Sequence, residues 1–189
     1  MKNITKGHYG YIGKRKKRLL LQALILFAGM AGFIALGYII TGSNKNLFTL
    51  VAVMTAIPMV MQVVQLIALS KYHSRPEEEY RQVRALAGSG LLNTDLVIAN
   101  KDGASYDIGY AYVHRDGIIL YCANEKTDTA KTEEYIRNFL RLNGCDAPVT
   151  VLTDVRVFMK RLKTLSPEDR ADVPEELLKQ EGVLRAISM

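Results

Sequence analysis

Two apolar stretches, Leu19 to Ile40 and Leu47 to Leu69, leave this chain few ways to fold. Residues 19 to 70 contain one formally charged side chain, Lys45. The first stretch has 22 residues, twelve of them Leu, Ile or Phe, and Gln22 is its one strongly polar side chain. As a helix it extends about 33 Å, against a bilayer hydrocarbon core of roughly 30 Å. Those twelve side chains favour insertion by about 4 to 7 kcal/mol as an upper bound. The second stretch is equally long and carries no formal charge, so both are expected to cross a membrane.

Only residues 41 to 46 separate the two spans, a length that joins adjacent antiparallel helices. A cleaved signal peptide has a shorter apolar core, about 7 to 15 residues, ending at a small-residue cleavage site. Here the run ends Gly37-Tyr-Ile-Ile-Thr41, so no cleavage is expected. Lys14, Arg15, Lys16, Lys17 and Arg18 abut the first span, and Lys71, Arg75, Arg81 and Arg84 follow the second. The turn holds Lys45 alone. The positive-inside rule therefore places both termini in the cytoplasm of a multi-pass protein of the cell membrane.

The net charge of +6 divides sharply along the chain. Residues 1 to 18 hold seven basic side chains and no acid, whereas residues 71 to 189 hold seventeen basic and nineteen acidic ones. The excess thus belongs to a short basic arm beside an apolar span, whose natural partners are the lipid bilayer and its anionic headgroups. A nucleic-acid-binding domain concentrates basic charge on its own surface, which argues against that partner. Cys122 and Cys145 have no metal-ligand spacing and read as reduced, buried residues. No cofactor motif is present: neither a dinucleotide nor a phosphate-binding glycine loop occurs.

Within the hairpin, Gln22 and Gln65 lie at similar depth, with Gln62 one turn deeper on the face of Gln65. They read as hydrogen-bonding glue between helices, since uncharged amides make no ion pathway. Ala28 and Gly32 give small-residue spacing that permits close helix approach, within the hairpin or in a homo-oligomer. Pro58 removes one backbone donor and is expected to kink the second helix.

After residue 70 the pattern is that of a water-soluble α/β (α+β) domain. Ser74-Arg-Pro-Glu77 reads as a capping box opening a helix with Tyr80, Val83, Leu86 and Ala87 at helical spacing. A strand follows over Leu96 to Ala99. Ser105 to His114 alternates, with Tyr106, Ile108, Tyr110, Tyr112 and His114 on one face, read as lying under a helix or a dimer partner. Asp116-Gly117 signals a hairpin returning through Ile118 to Cys122. Asp128 or Thr129 caps a helix that Gly144 ends, Val149 to Leu152 forms a fourth strand, and helices run from Val155 and after Pro167. The expected layout is a basic arm (1–18), transmembrane helices (19–40 and 47–70) around an extracytoplasmic turn (41–46), a linker and helix (71–90), and a cytoplasmic domain (91–189). Its expected fold is a mixed four-stranded sheet in the order α-β-β-β-α-β-α-α.

That order over roughly Pro76 to Arg161 resembles restriction-endonuclease-like domains, the PD-(D/E)XK group and its nuclease-related members. The resemblance implies an acidic helix residue, here Glu78, an Asp on the second strand, here Asp107, and a Glu-x-Lys at the end of the third. The last slot reads Cys122-Ala123-Asn124 instead. Glu125 and Lys126 come later and are adjacent, so in an extended chain they point to opposite sides of the sheet. Divalent-metal chemistry needs converging carboxylates with a lysine near the attacked phosphate. The resemblance therefore implies a pseudo-nuclease, a non-catalytic binding or scaffold domain for a protein partner. Two alternatives remain from the residues: a membrane-tethered metal-dependent nuclease using Asp95, Asp107, Glu125 and Lys126, and a small channel or transporter subunit built on the Gln residues and Pro58.

Overall fold

The computed structural model describes residues 6–43, 45–88, 90–99, 105–124, 127–165 and 173–188. The chain divides into two units: residues 12–73, and residues 74–189 together with the N-terminal segment through Tyr11.

The first unit is a pair of helices, α1 (Tyr11–Thr41) and α2 (Leu47–Ser70). Both are long and apolar enough to cross a membrane. Their apolar side chains stay largely uncovered within the chain, with Ile25 62%, Ile39 77% and Met54 65% exposed, unlike a core helix of a water-soluble fold. The helix α1 starts eight residues before the apolar span, so the run Lys14 to Arg18 forms its first turns. Lys16 Nζ donates to the carbonyls of Ser70, at 3.1 Å, and Tyr72, at 2.6 Å. The start of α1 thus lies beside the end of α2, and the helices run antiparallel. Asn46 closes the turn: its side-chain oxygen accepts from Thr49 N at 2.9 Å, and its amide donates to Thr41 Oγ1 at 2.9 Å. The helix α2 continues unbroken through Pro58. Gln65 accepts from Arg15, at 3.5 Å, rather than from Gln22. Ala28 and Gly32 are exposed, and Ala23, Gly37 and Ala52 are the small buried residues of the pair.

The second unit contains α3 (Glu77–Ala87), β1 (Leu91–Ala99), β2 (Ser105–His114), β3 (Gly117–Cys122), α4 (Thr129–Leu142), β4 (Val149–Leu152), α5 (Val155–Thr164) and α6 (Glu175–Ile187). The strands lie in the order β1-β2-β3-β4. The first three are mutually antiparallel, and β4 returns parallel to β3 through α4, as a helical crossover requires. One face of the sheet presents Leu96, Ile98, Ile108, Ala111, Val113, Ile118 and Leu120 to α4 and α6. The other presents Tyr110, Tyr112, Ile119 and Tyr121 to α3 and α5, around Val83, Phe158 and Leu162.

Three local expectations change. Ser74 does not cap α3; Pro76 precedes its first turn, and the Ser74 hydroxyl donates to Asp95 Oδ2 at 2.6 Å. The strand β1 begins at Leu91, five residues early, because Leu91 and Asn93 pair with Val113 and Ala111. The tyrosines of β2 do not share one face. Between Ile108 and Tyr110 the β2–β3 register shifts by one residue, and such a bulge reverses the alternation beyond it. Tyr106 consequently packs toward α4, beside Tyr135, while Tyr110 and Tyr112 pack toward α3 and α5.

The N-terminal segment belongs to this unit. Gly7 O accepts from Thr94 N at 3.0 Å, and Tyr9 stacks on Tyr80 at 4.3 Å while donating to Arg75 O. Ser188 bridges to Ile98. Gly7 and Ser188 therefore pair with the edge strand β1, whose unpaired backbone groups are otherwise a template for aggregation.

Candidate functional site

The bulge collects polar side chains beneath the first turn of α3. Asp95 stands opposite Gly109 between the pairs Thr94–Tyr110 and Leu96–Ile108, with φ 56°. Left-handed backbone is uncommon outside glycine, and Asp is among the side chains that tolerate it best. Strain of this kind concentrates where a particular arrangement of groups must be held. Asp95 is 4% exposed.

Arg75 occupies the centre. Its Nη2 donates to Asp107 Oδ2 at 2.9 Å, and the side chains are 23% and 19% exposed. The guanidinium carbon lies 6.0 Å from the centre of the Tyr121 ring. Gly109 makes this seat available: a Cβ there would stand 3.1 Å from Tyr121 Cδ1 and 3.2 Å from Arg75 Nε. A side chain at 109 would require Tyr121 or Arg75 to give by a few tenths of an ångström.

Glu79, in the first turn of α3, is directed inward beside Tyr110. Tyr110 is fully buried, and its hydroxyl and Glu79 Oε1 sit side by side short of a hydrogen bond. Burial first, and the Glu79 charge second, hold the Tyr110 phenol well above its usual range. Burial likewise raises Tyr121, with Arg75 pulling the other way. Arg75 Nε also lacks a hydrogen-bond partner. Such orphaned groups cost about 1 to 3 kcal/mol each, which marks the cluster as a locally costly arrangement.

The residues singled out from the sequence fall differently. Asp95 and Asp107 both reach this cluster, Asp95 through Ser74 and Asp107 through Arg75. Glu78 is exposed, and Glu79 is the carboxylate that faces the sheet. Glu125 and Lys126 lie outside the described residues. At the end of β3 the side chains on the Arg75 face are Tyr121 and Ala123, while Cys122 points into the opposite core. Ala123 N donates to Asp107 O at 3.0 Å, so β3 does run beside Asp107 but brings neither carboxylate nor lysine. Among the described residues no three His, Cys, Asp or Glu side chains gather as metal ligands. The sequence pattern does not mark Arg75 as a site residue, because two residues before the helix it reads as one of the cations flanking the second span. Gly109, inside an otherwise apolar and aromatic strand, was the signal that another group approaches the backbone there. No known protein family, curated protein or solved structure matches this chain.

Proposed function

We propose that the protein is a two-span membrane protein whose α/β unit binds or scaffolds a partner and does not catalyse phosphodiester chemistry. Both termini face the cytoplasm in this reading, in keeping with the Lys and Arg flanking the spans. The observation that carries the non-catalytic part is the Arg75–Asp107 pair. A nuclease-like centre draws carboxylates around a divalent cation; here a covalently attached guanidinium pairs with the strand carboxylate Asp107 instead. The resemblance to restriction-endonuclease-like domains stays part of the proposal, for a sheet in the order β1-β2-β3-β4 with β4 parallel to β3.

Titration calorimetry of the detergent-solubilised full chain with Mg²⁺ or Mn²⁺ tests this reading. No saturable uptake is expected, and no cleavage of single- or double-stranded nucleic acid. Uptake that disappears in Asp107→Ala, accompanied by cleavage that also disappears, would establish the tethered nuclease instead.

A further inference from the structure

The basic run at the start of α1 separates into two faces. Successive residues on a helix turn by about 100°. Lys14, Lys17 and Arg18 therefore share a sector of about 120° with Leu21, Leu24 and Ile25 further along the helix. Those three apolar residues are 53%, 55% and 62% exposed. Arg15 and Lys16 lie on the other side with Leu19 and Ala23, which are 4% and 8% exposed. Arg15 donates to Gln65, and Lys16 donates to the carbonyls of Ser70, the last residue of α2, and of Tyr72 just beyond it, where a cation suits the negative end of the helix dipole.

The first face is arranged against helix physics. Lys14, Lys17 and Arg18 are spaced i, i+3 and i+4, so their like charges repel. Lys14 stands closest to the positive end of the α1 dipole, and the first turn holds no acid to offset the repulsion. All three are exposed, and none makes a hydrogen bond or ion pair among the described residues. Among the described residues nothing compensates these three charges, which lie on the side of the exposed apolar residues.

Building on the membrane reading above, we infer that Lys14, Lys17 and Arg18 form a surface for the phosphate groups of anionic phospholipids, while Arg15 and Lys16 serve the helix pair itself. A polybasic segment beside a membrane span gains most from an anionic leaflet when its charges face the headgroups. Here the sector that carries the cations is the one continuous with the exposed apolar stripe.

The test uses the full chain in dodecylmaltoside micelles, titrated with phosphatidylglycerol or phosphatidylcholine of matched acyl chains, with bound lipid counted by native mass spectrometry. The protein is expected to retain phosphatidylglycerol preferentially. The combined variant Lys14→Gln, Lys17→Gln, Arg18→Gln is expected to lose affinity by on the order of a hundredfold, at about fivefold per cation. Lys16→Met is expected to keep the lipid preference and to unfold at lower temperature. A triple variant that keeps the preference overturns the inference, as does Lys16→Met losing as much lipid as the triple variant. Displacement of phosphatidylglycerol by an equal concentration of inorganic phosphate assigns the cations to a free anion and overturns the lipid assignment. A chain that stays dissolved without detergent overturns the membrane reading, a separate result obtained before lipid is added.

Discussion

Arg75 and Asp107 meet at 2.9 Å on a sheet face where each is less than a quarter exposed. One residue comes from the segment entering α3 and the other from β2, and Gly109 leaves room for the Arg75 side chain. Removing one partner strands the other. Breaking a buried pair costs about 3 to 5 kcal/mol, and residual solvent access brings the expectation for Asp107→Ala to about 2 to 3 kcal/mol. Replacing both, as Arg75→Met with Asp107→Leu, is expected to recover most of that loss. Urea unfolding of the detergent-solubilised chain measures both, and equal losses in the single and double variants would refute the pairing energetics.

Gly109→Ala is the complementary test, because it leaves every charge in place. The added methyl meets Tyr121 and Arg75 at 3.1 to 3.2 Å. Overpacking of this kind costs about 1 to 3 kcal/mol. The variant is expected to lose stability in that range, with most of the loss disappearing when Arg75 is also shortened to Ala. Independent, additive effects would contradict a shared site.

Tyr110→Phe removes a buried hydroxyl that has no hydrogen-bond partner. Such a deletion is expected to be neutral or to stabilise by up to about 1 kcal/mol. It also carries a pH signature. The Tyr110 pKa is raised on folding from an ordinary 10.0, so above that pH the unfolded chain releases a proton that the native chain keeps. Stability then falls with rising pH, by up to about 1.4 kcal/mol per pH unit for a single group. Tyr110→Phe is expected to show a shallower fall than the wild type between pH 10 and 11, measured by chemical unfolding. Identical slopes would place the phenol in water.

Gly7→Ala tests the N-terminal segment. Gly7 has φ +83°, and a Cβ there would run into Asn93 Oδ1. Strain of this kind costs on the order of 1 to 3 kcal/mol. The variant is expected to release the segment from β1, detected as faster amide exchange at Thr94, whose N–H is bonded to Gly7 O. Unchanged exchange at Thr94 would show that the contact survives.

Much of the architecture could be read directly, for physical reasons that differ by element. The apolar runs announce their helices by length alone. The ends of α4 follow from Asp128, which accepts from Lys131 N, and from Gly144 at φ +69°. The parallel return of β4 follows from the helix that precedes it. The polar cluster was harder to see because two strands are irregular in register with each other. Alternation in β2 projects Tyr106 and Tyr110 to the same side, and the bulge at Gly109 sends them to opposite sides. A single-residue slip in pairing leaves little trace in composition, since Ile108-Gly109-Tyr110 reads equally well in either register. Ser74 departs from the capping pattern for a related reason: its hydroxyl has a partner 21 residues away in Asp95, and local capping patterns do not register such competition. Gln65 likewise pairs with a charged group two turns from the amide expected at its depth.

Cys122 and Cys145 are both buried, so one introduced surface thiol reports its own side of the membrane with little background. Ser43→Cys in the turn between α1 and α2, and Lys160→Cys on the exposed face of α5, are each treated with a membrane-impermeant maleimide on intact cells and again after permeabilisation. Labelling of Ser43→Cys on intact cells, with Lys160→Cys labelled only after permeabilisation, is the predicted result. Ser43→Cys protected until the cells are opened, or Lys160→Cys labelled from outside, would contradict the two-span protein with an internal α/β unit.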